Sequence, residues 1–165
     1  MRMKIILITV FLNLLSCNKK EIDFEKLQDR KGVMYEVNKT EPFSGLSKTY
    51  YENGQILTEQ NYKDGILNGS YKEYYENGQL EAEGNFENGL SNGSFKTYYE
   101  NGQLKEEGKT KNYNLEGLYK KYYENGQIEI EENYKNQLKN GLSKIYYENG
   151  ELKEKRNFIN NQEVK

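Results

Sequence analysis

The chain has 165 residues, enough for one domain, and its 24 basic and 26 acidic residues leave a net charge of −2. It contains no His and a single Cys, which excludes His-based catalysis, His metal ligands, Cys-based zinc sites and intrachain disulfides. The lack of a basic excess argues against nucleic-acid binding, and the 16 Tyr and 6 Phe predict a folded chain.

The N-terminus has the pattern of a bacterial secretory signal. Two basic residues precede the apolar run 5–15, which at 11 residues is shorter than the roughly 20 that a membrane-spanning helix needs. The run ends in Leu-Leu-Ser-Cys, which resembles the lipobox of bacterial lipoproteins. The resemblance implies that residues 1–16 are a signal peptide, cleaved between Ser16 and Cys17, and that Cys17 carries the lipid. The alternative is an unmodified Cys.

A lipid on Cys17 would hold the mature chain to the cell membrane or the outer membrane, facing the periplasm or the exterior. Residues 17–31 are polar and charged, and their apolar side chains are too few to build a core. We therefore expect a polar tether over 17–31, with a short helical turn around Phe24 to Leu27.

Tandem repeats fill residues 32–165. The string Tyr-Tyr-Glu-Asn-Gly recurs five times at intervals of 24 residues, with a Gly and a Leu or Ile in the same frame, after a half-repeat at 32–42. Asn-Gly between alternating segments indicates a β-hairpin with a type I′ turn, which needs positive φ at both central residues. The sequence predicts an all-β fold, an elongated antiparallel single-layer meander of tandem 24-residue β-hairpin repeats.

The second repeat predicts a strand register. With a two-residue loop at Asn77-Gly78, Tyr75 faces Leu80 and Lys72 faces Glu83. A three-residue bulged loop would shift these pairs. Equivalent charge pairs are expected in other repeats, but the fifth opposes two lysines: the pairs are Lys48–Glu59, Lys72–Glu83, Lys96–Glu107, Lys120–Glu131 and Lys144–Lys155.

The turns between repeats carry Gly at two early positions but Tyr113 and Gln137 at the matching later positions. Because a type I′ turn favours Gly, we expect these later turns to be looser.

Side chains alternate between the two faces of a strand, so the two Tyr of each motif separate. The first Tyr falls on the charged face, where exposed rings suit protein recognition or stacking on sugars; the alternative is that these rings cover Lys and Glu stems and fix strand pairing. The second Tyr is expected in the core. The candidate binding face is Tyr50, Tyr74, Tyr98, Tyr122 and Tyr146, and the expected core row is Tyr51, Tyr75, Tyr99, Tyr123 and Tyr147.

Repeats of the form Gly-Ser-Tyr-Lys-Glu-Tyr-Tyr-Glu-Asn-Gly-Gln-Leu resemble the bacterial variant of the MORN repeat over about residues 32–165, with Glu151 replacing the Gln in the fifth copy. Proteins with such repeats are labelled YwqK-family antitoxins, which implies that they neutralise a partner protein. MORN repeats elsewhere are linked to membranes and to protein–protein contacts. The resemblance implies a fold, and for function it offers an analogy.

The acidic residues are spread evenly by the repeat, which is typical of a solvated sheet face, so we expect no catalytic residues, metal site or cofactor. We expect a lipid-anchored envelope scaffold that binds an envelope protein or a toxin. The alternatives are a glycan- or peptidoglycan-binding module that uses the same Tyr row, an envelope hydrolase that uses two Glu, and, if the signal peptide is misassigned, a cytoplasmic antitoxin.

Overall fold

The computed structural model describes residues 20–165, so the predicted signal peptide, Ser16 and Cys17 lie outside the described residues. Within residues 20–165, no helix is long and apolar enough to cross a membrane. The described elements are one 3-10 helix, Phe24–Lys26, and the strands β1 Glu21–Asp23, β2 Leu27–Arg30, β3 Val33–Glu36, β4 Gly45–Tyr50, β5 Ile56–Lys63, β6 Ile66–Tyr74, β7 Leu80–Glu87, β8 Leu90–Ser91, β9 Gly93–Tyr98, β10 Leu104–Lys111, β11 Asn114–Leu115, β12 Gly117–Tyr122, β13 Ile128–Lys135, β14 Leu138–Tyr146, β15 Leu152–Ile159 and β16 Gln162–Val164.

Fourteen of these strands form one long sheet in the order β1-β4-β5-β6-β7-β9-β10-β12-β13-β14-β15-β16, with β8 beside β7 and β11 beside β10. Hairpin follows hairpin, and every pairing is antiparallel except that of β1 with β4. At a spacing of about 4.8 Å per strand, this sheet is about 50 Å long. The predicted all-β, single-layer antiparallel meander of hairpin repeats is confirmed.

The expected polar tether is wrong from residue 20 onward. β1 joins the main sheet beside β4, and β2 and β3 form a separate hairpin. Leu27, Met34 and Phe43 form the buried hydrophobic core. Leu27 can be buried because Met34 and Phe43, which follow the predicted tether in the sequence, pack against it. The repeat sheet is therefore closed at its N-terminal end by a cap built from residues 20–43. The helical turn expected near Phe24 is the 3-10 helix.

The cap packs against the first turn between repeats. The Gly65 amide donates to the Phe43 carbonyl at 2.7 Å, and the Met34 amide donates to the Gly65 carbonyl at 2.9 Å. Gly65 has a φ of +75°, and a Cβ there would lie 2.7 Å from the Met34 carbonyl oxygen and also clash with Val33. Glycine is therefore required at this position both for its conformation and for its size.

The Asn-Gly loop inside each repeat has three residues, so the predicted type I′ turn is wrong there. The Gly78 amide donates to the Tyr75 carbonyl, and the Tyr75 amide to the Gln79 carbonyl, both at 2.8 Å. Gly78 has positive φ whereas Asn77 does not. The Asn77 side chain instead accepts a hydrogen bond from the Gln79 amide at 2.8 Å, which is the reason for Asn at this position.

The extra loop residue shifts the pairing next to the turn, so that Tyr74 pairs with Leu80 and not with Glu81. A β-bulge then restores the predicted register, and Lys72 faces Glu83 as expected. The same irregularity follows the loop in the other four repeats. Leu80 therefore shares a face with Tyr74 and does not face Tyr75 as predicted.

The turns between repeats adopt the two-residue conformation with positive φ at both central residues, and they do so with or without Gly. Asn112 and Tyr113 have φ of 51° and 66°, and Asn136 and Gln137 have 49° and 68°. The expectation of looser turns at Tyr113 and Gln137 is wrong. A left-handed residue other than Gly costs about 1–2 kcal/mol, which is offset in part by side-chain bonds. Tyr113 donates to the Gly89 carbonyl at 2.6 Å, and Gln137 accepts from the Leu115 amide at 2.8 Å.

Candidate functional site

The register builds a row of charges across one face of the sheet, with each member opposite the next on the neighbouring strand. Acidic and basic residues alternate along this charge row until its last pair, Lys144 and Lys155, which opposes two lysines. The row consists of Asp23, Lys48, Glu59, Lys72, Glu83, Lys96, Glu107, Lys120, Glu131, Lys144 and Lys155.

Few of these opposed charges close as ion pairs. Among the described members of the row, Lys48 lies 3.6 Å from Glu59 and Lys144 lies 2.7 Å from Glu131. Of the four Lys–Glu pairs predicted within repeats, all are in register, but Lys48–Glu59 alone closes to ion-pair distance in residues 20–165. The row therefore defines the strand alignment more than it contributes Coulomb energy.

The first Tyr of each motif lies on the same face and binds the acids of the charge row. The hydroxyls of Tyr74, Tyr98 and Tyr122 donate to the carboxylates of Glu59, Glu83 and Glu107, at 3.2, 2.9 and 2.7 Å. Tyr50 is 47% exposed, and the other four Tyr of the candidate binding face are half-buried. The face therefore presents ring surface, and three of its hydroxyls are already engaged.

These contacts change the acidity of the rings. Burial, followed by the hydrogen bond to Glu83, raises the pKa of Tyr98 to about 12. Burial and Glu107 raise the pKa of Tyr122 to about 12 in the same way. Both hydroxyls therefore stay protonated donors across the physiological range.

The second Tyr of each motif links one repeat to the next. Its hydroxyl donates to the backbone carbonyl of the first Tyr in the following repeat, at 2.6–2.8 Å for the pairs Tyr51–Tyr74, Tyr75–Tyr98, Tyr99–Tyr122 and Tyr123–Tyr146. These four rings are half-buried and not in a core as expected, because a single-layer sheet cannot enclose them. Tyr147 makes no such bond within the described residues and is 50% exposed.

Two shallow grooves lie side by side on the face that carries the charge row. Their volumes are about 250 and 260 Å³, and they share Ser94 and Lys96. They open where Ser70 and Ser94 stand at the repeat position that is Leu in the other three repeats, at Leu46, Leu118 and Leu142. The middle of the candidate binding face is therefore accessible, and exposed Leu118 lines the second groove.

A buried acid on the opposite face was not expected from the sequence. Glu132 is 4% exposed and accepts hydrogen bonds from Lys139 at 2.5 Å, Tyr134 at 2.7 Å and Ser143 at 2.9 Å. Burial opposes ionisation, but these donors outweigh it, so the pKa of Glu132 lies below its usual range. The signal was a departure from the repeat, because Gln60, Gly84 and Gly108 stand at the matching positions of the three preceding repeats and Arg156 at that of the fifth.

Glu132 stays an ionised acceptor whose oxygens are already occupied, which suits a structural role better than proton transfer. Within residues 20–165, no cluster of three or more His, Cys, Asp or Glu side chains is placed to hold a metal ion.

Comparison with solved structures identifies a chain of the "Crystal structure of GtfA/B complex bound to UDP and GlcNAc". The two chains share 11% sequence identity with a TM-score of 0.26, and the match covers 77% of this chain and 22% of that chain. This chain thus spans about a fifth of that protein's length, and a likeness this low carries no argument about fold or function. No curated protein matches the chain.

The repeat itself is matched directly. The family described as MORN repeat variant matches five segments, 44–64, 67–88, 91–112, 115–136 and 139–160, which together cover more than half of the chain. Each segment contains one Asn-Gly loop and reaches to the following turn between repeats, so the family repeat corresponds to one hairpin of the sheet. The chain therefore belongs to the MORN repeat variant family.

Proposed function

We propose that the mature chain is a lipid-anchored scaffold of the cell envelope, which binds a protein partner through the face that carries the charge row and the first Tyr row. The accessibility of this face supports the proposal most directly. The buried hydrophobic residues among those described are Leu27, Met34 and Phe43, all in the N-terminal cap. The five repeats leave both faces of a single-layer sheet open to solvent, which favours contact with another macromolecule.

The chemistry of the face favours a protein. Tyr rings with engaged hydroxyls offer rigid apolar surface at low entropic cost, and the Lys and Glu around them supply a polar surround. Equivalent side chains recur every second strand, about 10 Å apart, so a partner can meet the same contact several times. The alternating charges would fix the register of that contact more than its strength.

The lipid anchor on Cys17 would determine the distance from the membrane at which the partner binds. Cys17 lies just before the described cap, so its lipid would hold the N-terminal end of the sheet at the membrane. The fifth repeat then lies up to about 50 Å away along the sheet. A toxin that arrives from outside the cell is one class of partner that such a scaffold would meet and neutralise.

Binding of peptidoglycan or another glycan is a second candidate. The observation in its favour is the pair of accessible grooves that repeat with the 24-residue period on the face that carries the Tyr row. Their spacing of about 10 Å is close to the length of a disaccharide, and Tyr rings stack readily on sugar rings.

Cross-linking in intact cells, followed by recovery of the chain and identification of attached proteins, tests the protein-binding proposal. A variant with Lys72→Ala, Lys96→Ala and Lys120→Ala alters the face without breaking an ion pair within residues 20–165. A matched control removes three exposed lysines at the turns between repeats, with Lys63→Ala, Lys111→Ala and Lys135→Ala.

We expect the wild type and the control to recover the same protein, and the charge-row variant to lose most of it. Equal recovery by the charge-row variant would reject this face as the site. If no protein is recovered, but the chain is retained on purified peptidoglycan through the Tyr row, the glycan alternative replaces the proposal.

A further inference from the structure

The sheet ends in a strand that is open along part of its outer side. β15 pairs with β14 from Leu152 to Phe158, but β16 covers only Asn157–Ile159. No other described strand lies beside the outer edge of Leu152–Arg156. Backbone amides and carbonyls along such an edge are ready to pair with an added strand.

This edge shows the features that internal repeats use to hold the next repeat. Each earlier second-row Tyr donates its hydroxyl to a carbonyl of the following repeat, whereas Tyr147 makes no such bond in the described chain. Leu152 is 51% exposed, while its counterparts at 56, 80, 104 and 128 are half-buried. The edge therefore exposes the Tyr and Leu side chains that each internal boundary covers with the next repeat.

The charge row indicates which charge a strand added at this edge should place opposite Lys155. Lys155 occupies the position that is Glu in the four preceding repeats. Its opposite residue, Lys144, is already paired with Glu131 at 2.7 Å, and no ion pair of Lys155 occurs within residues 20–165. An acidic side chain on an added strand would give Lys155 the opposite charge that Lys144 does not. A second copy of β15 would instead add a strand of net positive charge, with Lys153, Lys155 and Arg156 against the single acid Glu154.

We propose that the outer edge of Leu152–Arg156 binds an extended segment of the protein partner as an added strand, with an acidic residue opposite Lys155. This inference depends on the proposed function, that the chain binds a protein. It adds the mode of binding and the charge of the segment that is bound.

Two synthetic peptides test the inference. One has the sequence of Gly117–Tyr122 with Lys120→Glu, and the control peptide keeps the lysine. Each is titrated onto the full chain in detergent and onto a Lys155→Glu variant. Affinity is followed by the anisotropy of a label on the peptide, and the site by hydrogen exchange of the backbone amides.

We expect the acidic peptide to bind the wild type about fivefold more tightly than the control peptide, the size of one favourable cross-strand charge pair. Exchange should slow in Leu152–Arg156, and the Lys155→Glu variant should reverse the preference. Equal affinities, or no slowing at millimolar peptide, would overturn the inference. Slowing that grows with chain concentration without peptide would also overturn it, because the occupant would be a second copy.

Failure of this inference is distinguishable from failure of the proposed function. If neither peptide slows exchange, but cross-linking still recovers an envelope protein with both the wild type and Lys155→Glu, the edge site is rejected and the scaffold role stands. If the peptides bind as expected but no envelope protein is recovered, the edge site is retained and the scaffold role is rejected.

Discussion

The Tyr98 hydroxyl donates a hydrogen bond of 2.9 Å to the carboxylate of Glu83 on the neighbouring strand. The same bond recurs between Tyr122 and Glu107 at 2.7 Å. These acids face lysines in the register, yet their carboxylates bind tyrosines instead. In these two repeats a half-buried neutral donor occupies the carboxylate, whereas Glu59 accepts from Tyr74 at 3.2 Å and still lies 3.6 Å from Lys48.

These bonds predict loss of stability at high pH. The pKa of Tyr98 and of Tyr122 in the folded chain is raised to about 12, above the value near 10 of an unfolded chain. A raised pKa contributes stability that is complete below about pH 10 and is lost as the pH rises through about 12. We expect urea midpoints to fall over that window as tyrosinate absorbance grows.

The control for the alkaline experiment is a chain with Tyr98→Phe and Tyr122→Phe. Without these two hydroxyls, stability should be slightly lower near neutral pH and should fall less steeply at high pH. A wild-type midpoint that stays constant through this window would contradict the assignment.

Removal of a hydroxyl that links repeats should cost stability in proportion to the bond it makes. Tyr99→Phe deletes the 2.6 Å bond to the Tyr122 carbonyl, and we expect a loss of about 1 kcal/mol in the free energy of unfolding. Tyr147→Phe is the matched control, because Tyr147 makes no such bond in the described chain, and it should be nearly neutral. Equal losses in denaturant titrations would show that the link contributes nothing.

Gly65 and Gly89 occupy the same position of successive turns but meet different surroundings. A Cβ on Gly65 would clash with Val33 and Met34 of the cap, whereas on Gly89 the nearest atom, in Ile66, would be 3.5 Å away. Gly89→Ala should cost about 1–2 kcal/mol, from the left-handed backbone alone. Gly65→Ala should cost about 1–3 kcal/mol more through overpacking. Thermal unfolding of the two variants gives the comparison, and indistinguishable values would mean that the cap does not pack on this turn.

Removal of the buried carboxylate of Glu132 should destabilise the fold. Glu132→Ala leaves the Lys139 ammonium and two hydroxyl donors without their acceptor, which should cost about 2–4 kcal/mol. Glu124→Ala, in an exposed loop, should change stability by less than about 0.5 kcal/mol. A loss below about 1 kcal/mol for Glu132→Ala in denaturant titrations would mean that the donors are satisfied without it.

The pH dependence of the Glu132 contribution has the opposite sign to that of the tyrosines. Its folded pKa is lowered by Lys139, Tyr134 and Ser143 against the effect of burial. Its contribution should therefore be present above the unfolded pKa, near 4, and be lost as the pH falls below it. The difference in stability between the wild type and Glu132→Ala should shrink on acidification, and a difference that stays constant would contradict this.

The period of the sequence correctly predicts the sheet and the pairing of Lys72 with Glu83. It does so from a two-residue type I′ turn, whereas the structure has a three-residue loop. The three-residue loop and the bulge beside Glu81 shift the register in opposite directions and cancel, so the pairing survives. The difference from the prediction lies next to the loop, where Leu80 pairs with Tyr74 and does not face Tyr75. A loop type cannot be read from Asn-Gly alone, because Asn serves a type I′ turn through its φ and a longer loop through its side chain.

The parts that escaped prediction are those set by contacts distant in sequence. Leu27 reads as part of a polar tether until Met34 and Phe43 are placed against it. The bonds from Tyr98 to Glu83 and from Tyr99 to Tyr122 join different hairpins, so a register derived within one hairpin does not show them. Glu132 was visible as a departure from the repeat, but its three donors were not.

The lipid anchor on Cys17 fixes where the chain would meet a partner, and it can be measured without knowing that partner. The intact mass of the native protein should be determined beside membrane fractionation of the wild type and of Cys17→Ser. We expect the native chain to begin at an acylated Cys17 and the variant to leave the membrane fraction. A native chain that keeps Met1 and is soluble in the cytoplasm would rule out the anchor, and a cytoplasmic antitoxin would then be the leading function.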